Sequence, residues 1–314
     1  MTTPLLSLLL AATLGTAQDT PHGAAEGFAD SLAIGSETAA VEAELDARCS
    51  RVASVTPSPV RFPLARDHEQ HFVCDHYTTP AGHSFERAVF TLADGALVQI
   101  EVRGDTAPLS ENAGDSIALG DWIAYPDAAM VIDRAANTAH ILSGDGLHTN
   151  LFAWHNPLMD GETLDYGPLA IDMPPQIRPG ESIETLRPEI EAACPVVQVR
   201  DIDPPSLPTQ PATQTQINCF GYETAGFERK IEFVFGDGQL MLAWILTGRG
   251  EGDRLQAAMD AAYGMPDLAA ADFRFYDGGA AALRFDKPEI LIIQRELGAG
   301  YMAQLAARDE GSTD

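Results

Sequence analysis

Imidazole and carboxylate side chains are concentrated in one short stretch of this 314-residue chain, RDHEQHFVCDHYTTPAGHSF. His68, His71, His76 and His83 stand there among Asp67, Glu69 and Asp75, a donor set that suits zinc or copper. Seven of the eight histidines fall between His68 and His155, which is the bias a locally acquired site would leave. Two features count against a metal. The spacing fits no established ligand motif, and His71 and His76 differ by an odd number along the strand expected there, so they point to opposite faces unless a bulge intervenes. Solvated loop and strand-edge histidines are the expectation; a periplasmic zinc- or copper-binding protein is the alternative.

Other chemistries leave weaker traces. The sequence has no Gly-x-Ser-x-Gly elbow, and Ser36 and Ser143, which adjoin glycines, read as cap and turn residues. No phosphate-cradling glycine pattern and no complete calcium loop occurs, and no Cys-x-x-Cys pair suggests thiol exchange. Asp201, Asp203, Glu181 and Glu184 read as solvated charge. The protein is therefore expected not to be an enzyme, with an unrecognised hydrolase as a second alternative.

The elements that would hold any site are written twice. Cys49 and Cys74 are spaced as Cys194 and Cys219 are, and each first cysteine ends a helix-like run, VEAELDARC or LRPEIEAAC. Cys74, Tyr77, Phe85-Glu86-Arg87 and Asp94-Gly95 recur as Cys219, Tyr222, Phe227-Glu228-Arg229 and Asp237-Gly238. The repeated Phe-Glu-Arg would give duplicated binding sites, but a core phenylalanine flanked by cross-strand charges is the stronger reading. On strand alternation, Phe85 shares a face with Arg87, and Phe227 with Arg229.

An apolar run, LLSLLLAATL, followed by Gly15-Thr16-Ala17 reads as a signal peptide cleaved after Ala17, which places the mature protein in the periplasm. In an oxidising compartment thiols pair, and a repeat that folds as a unit carries its own bridge, so Cys49–Cys74 and Cys194–Cys219 are expected. Closing each loop of about 25 residues stabilises by roughly 3 kcal/mol. No later stretch is long and apolar enough to span a membrane.

The formal charge is −27, shared as −14 over residues 18–160 and −13 over 161–314. Such a field repels phosphate backbones and anionic lipid, which excludes nucleic acid as a partner and favours cations. Only two lysines occur, a bias typical of a GC-rich bacterial genome.

These signals predict an α+β tandem duplication, each copy running α-βββ-α-βββ with helices on an antiparallel sheet. A flexible segment (18–34) precedes the first copy (35–156), and a proline-rich linker (157–180) joins it to the second (181–295). A C-terminal helix and tail (296–314) follow. The first helix is expected from Ser36, its N-cap, and the second is expected to break at Pro188. The expected function is binding of another protein or a small ligand, with no cofactor.

Overall fold

A computed structural model of the chain describes residues 32–111 and 113–311, with side chains to 307. The expected signal peptide and most of segment 18–34 lie outside the described residues. The chain divides into two compact units, the first ending at Gly167 and also containing Gly248–Glu251, the second formed by Pro168–Thr247 and residues from Gly252 onward. The boundary thus falls inside the stretch read as a linker, and residues 157–167 belong to the first unit.

In the first unit, α1 (Thr38–Arg48) leads to β1 (Arg51–Val55), β2 (Glu69–Thr78), β3 (Ser84–Ala93) and β4 (Ala96–Gly104). Then come α2 (Ala107–Ser110), β5 (Ile117–Leu119), β6 (Trp122–Tyr125), β7 (Met130–Asp133), β8 (Thr138–Leu142) and α3 (Gly144–His148). The eight strands form one antiparallel sheet in the order β1-β2-β3-β4-β8-β7-β6-β5.

The second unit repeats the plan with α4 (Ile183–Ala193), β9 (Val196–Asp201), β10 (Gln214–Thr224), β11 (Phe227–Gly236) and β12 (Gln239–Leu246). It continues through α5 (Gly252–Tyr263), β13 (Leu268–Ala269), β14 (Phe273–Tyr276), β15 (Ala281–Arg284), β16 (Glu289–Ile293) and α6 (Arg295–Gly311). Its sheet order is β13-β14-β15-β16-β12-β11-β10-β9. Two disulfides, Cys49–Cys74 and Cys194–Cys219, each tie a helix C-cap to the second strand of its unit. A two-copy α+β fold results.

Several local expectations change. Each half of each copy has four strands rather than three: the stretches after Cys49 and Cys194 pair as outer strands β1 and β9, and β5 and β13 pair at the far edges. In the stretch LSENAGDSIALG, Leu109 and Ser110 end α2, and Ile117–Leu119 pair with β6. The stretch NLFAW, Asn150 to Trp154, forms successive turns, with the Ala153 and Trp154 N–H groups donating to the Asn150 and Leu151 carbonyls. Helix α1 is capped at Glu37, while Ser36 Oγ accepts the Ala33 N–H. Helix α4 runs through Pro188, since the carbonyl that loses its donor, that of Glu184, lies on the exposed side of the first turns, where water can serve it.

One face of each sheet carries an apolar core. In the first unit Val41 and Leu45 of α1 pack on Phe72, Cys74, Phe90 and Ile100. In the second, Leu186 and Ile190 of α4 and Leu255 and Met259 of α5 cover Ile217, Ile231 and Phe233. The opposite faces differ, and the candidate site lies there. No helix among the described residues is long and apolar enough to cross a membrane.

Candidate functional site

The outer face of the first sheet is laid out in rows set by strand register. His71 opposes Thr91, which opposes Gln99; Val89 opposes Glu101, which opposes His140; Asp75 opposes Arg87, which opposes Arg103. A strap, residues 149–167, crosses this face. Helix α3 stops after little more than one turn, and the chain then turns at Asn150 with φ 65°. A 3-10 turn, Pro157–Asp160, is started by Asn156, whose Oδ1 accepts the Leu158 N–H at 3.1 Å, with proline at its first position. Leu158 and Met159 then bury themselves on Val89.

Under the strap lies a continuous polar network. Glu69 Oε2 accepts the backbone N–H groups of Arg61 and Phe62 at 2.9 and 3.1 Å, while Glu69 Oε1 takes the Tyr166 hydroxyl and His71 Nε2, the latter at 2.7 Å. The Leu158 contact fixes the Asn156 amide so that its Nδ2 faces His71 Nδ1 at 3.1 Å. An amide nitrogen only donates, so His71 Nδ1 accepts and the proton resides on Nε2, facing the carboxylate. The Glu69 carboxylate thereby accepts the Nε2 proton of His71. Burial alone would raise the Glu69 carboxyl, but His71, the Arg61 N–H and Tyr166 hold it below its usual range. Tyr166 is pushed upward by burial and by Glu69. Phe62 meets the His71 ring edge-on at 6.0 Å, and Trp154 closes on Phe62 at 5.5 Å.

Thr91 Oγ1 lies 3.0 Å from His71 Nδ1, so hydroxyl, imidazole and carboxylate stand in line as a nucleophile, its base and an orienting acid would. The three side chains are buried, at 1%, 0% and 0% exposure, and Nδ1 is shared with Asn156.

The network continues through Glu101. Its Oε2 accepts the Asn156 N–H at 3.0 Å and its Oε1 takes His155 Nδ1 at 2.6 Å. His155 Nε2 meets Asp160 at 2.6 Å, and Arg103 pairs with the other Asp160 oxygen at 2.8 Å. With a carboxylate on each nitrogen, His155 is an imidazolium; the Glu101 bond foremost raises its pKa to about 9. His155 and then Arg103 hold Asp160 below the usual carboxylate range. Burial depresses the charged form of His140.

The four histidines singled out by sequence do not converge. His71 is buried in the network, His68 and His76 are exposed and His83 is half-buried. Among the described residues no group of three or more His, Cys, Asp or Glu side chains is placed to hold a metal. His76, at φ 54°, interrupts the strand alternation, which is why Cys74 and Tyr77 both reach the core. The Phe-Glu-Arg copies also part company. A register shift between Phe85 and Arg87 leaves Phe85 in the core and turns Arg87 to the outer face, where it binds Asp75 at 2.7 Å and the Met159 carbonyl at 2.8 Å. This corrects the shared face expected of them. Glu86 is exposed. In the second copy Arg229 lies over the Phe227 ring at 5.9 Å, with Glu228 half-buried between them in sequence. Glu101, His155, Asn156 and Tyr166, none of them singled out from the sequence, are the residues that complete the network.

The same face of the second unit is chemically different. By register, His71, Thr91, Gln99, Glu101 and His140 correspond to Gln216, Val234, Leu242, Trp244 and Leu291. Val234, Leu242 and Leu291 pack with Tyr301 and Leu297 of α6, so apolar side chains of a long helix do there what the strap does in the first unit. No family model, curated protein or solved structure matches the chain.

Proposed function

We propose that this is an exported, non-catalytic binding protein in which the first unit carries the recognition surface and the second is a structural counterpart. The observation that carries the reading is the contrast between two equivalent sheet faces, one covered by apolar side chains of α6 and the other by a strap bonded to the buried carboxylates of Glu69 and Glu101. Apolar closure is the less costly way to cover a sheet, since buried ions must recover their desolvation through many bonds. A sequence that keeps the charged version fixes the geometry of the strap surface, and a preorganised surface loses less entropy on binding. Tyr166 joins that strap to a shallow cleft of about 270 Å³ lined also by Pro57, Pro59, Arg61 and Leu164.

Support for the non-catalytic part is the closure of Thr91, His71 and Glu69 from solvent and the commitment of both His155 nitrogens to carboxylates. Support for export is the pair of disulfides, which persist in oxidising compartments. The negative charge favours a cationic protein or small ligand.

Native mass spectrometry of the protein isolated from its own host tests the reading. A bound protein or organic molecule that is lost from a Tyr166→Phe, Arg61→Ala variant supports it. Stoichiometric zinc or copper, or turnover in an esterase, protease or glycosidase screen that Thr91→Val abolishes, overturns it.

A further inference from the structure

We propose that His155 is a proton-operated latch, which holds the turn Pro157–Asp160 on the first sheet while its ring is charged and releases the Asp160 end when the ring is neutral. The latch concerns how the strap is fastened and stands whether or not the strap binds a partner.

The geometry is a bridge between a buried and an exposed acid. The Glu101 side chain is 1% exposed and the Asp160 side chain 43%, and His155 bonds both at 2.6 Å. The groups facing the ring are Glu101 and Arg103 of β4, His140 of β8 and Asp160 on the strap itself; Arg87 of β3 reaches the strap at the Met159 carbonyl. With His155 charged, two carboxylates face two cations, His155 and Arg103. A neutral ring has one N–H to give. Glu101 cannot regain water without displacing the strap, so the remaining proton stays on Nδ1, and Nε2 turns a lone pair toward Asp160. Asp160 can move to solvent with Arg103. The turn then loses the tie that closes it, although Asn156 still donates to Glu101.

The sign follows from the raised folded-state pKa. The fastening is complete below the ordinary histidine value of 6.5 and is lost as pH rises through about 9.

Amide hydrogen exchange on the full chain, corrected for intrinsic rates, reads the latch at Met159, Gly161 and Glu162, whose N–H groups bond within the turn. Protection is expected to fall at least about tenfold between pH 7.5 and 10, in step with the ¹⁵N titration of the His155 ring. His155→Gln should give a flat profile, and Asp160→Asn should shift the midpoint to lower pH. A wild-type ring titrating near 6.5, or the same pH-dependent loss in His155→Gln, overturns the proposal. Should His155→Gln fail to fold, the direction of the Asp160→Asn shift decides.

Discussion

Glu69 and Gln214 perform one backbone task in two chemical forms. Each accepts the N–H groups of the residues seven and eight positions before it, Phe62 and Arg61 for Glu69, Leu207 and Ser206 for Gln214. Only Glu69 also gathers an imidazole and a phenol. Glu69→Gln should therefore keep the backbone turn but leave Tyr166 or His71 without a full acceptor, a loss of about 2 kcal/mol. Because the Glu69 pKa is lowered, its contribution is present above the ordinary value of 4.5 and is lost as pH falls through the folded value. Urea unfolding should show the variant less stable at pH 7 and the gap narrowed at pH 3. An equal gap at both would show that the charge is immaterial.

His76 and Gly221 occupy the same place relative to the two disulfides, and both have positive φ, 54° and 80°. The left-handed region costs a side chain that glycine lacks, while glycine is freer in the unfolded chain. His76→Gly should be stabilising by about 0.5–1 kcal/mol, the strain relieved exceeding the entropy added. Thermal unfolding checks this, and a clear loss would mean that the imidazole makes a stabilising contact.

Two glycines of α6 differ in what they touch. A Cβ on Gly298 would collide with the Gly279 carbonyl, whereas one on Gly300 meets nothing within 4 Å among the described residues. Gly298→Ala should cost about 1–3 kcal/mol by forcing the helix away from the turn Asp277–Gly279. Gly300→Ala should gain up to about 1 kcal/mol from helix propensity. Equal effects in chemical denaturation would argue against the close docking of α6.

Glu289 is nine-tenths buried, and burial raises its pKa to about 7 against the pull of Arg284. The Arg284 head is already engaged by Asp286 at 2.6 and 2.7 Å, leaving Glu289 a single contact at 3.3 Å. A raised carboxyl contributes fully below its ordinary 4.5 and loses that contribution as pH rises through about 7. Glu289→Gln should remove this slope, so that the variant is more stable than the parent at pH 8 by about 1–3 kcal/mol and not at pH 5. Parallel stability curves from pH 5 to 8 would contradict the assignment.

Much of the fold was legible because it was written twice. The 25-residue cysteine spacing identified both bridges, and β4 and the central β12 coincide with an alternating stretch, ALVQIEVR, and an apolar run, LMLAWILT. Outer strands β1 and β9 were not legible because they stand at the edges of their sheets and their side chains are largely exposed, which leaves no strong period. The histidine cluster drew attention to the right strand for the wrong reason. Local density placed four imidazoles together, but the chain turns His68, His76 and His83 outward and sends only His71 inside.

The sequence by itself determined the duplication, the disulfides, the charge and the α+β class, since each depends on composition or on contacts within one repeat. Tertiary structure alone decided which residues form the network. Glu69, Thr91, Glu101, His155 and Tyr166 lie far apart in the chain, and what joins them is strand register plus the path of a strap that has no periodic pattern. Their identity in the sequence is that of ordinary polar residues. Burial beneath that strap makes them a single electrostatic unit, because in a medium of low dielectric each charge must find its partner within a few ångströms.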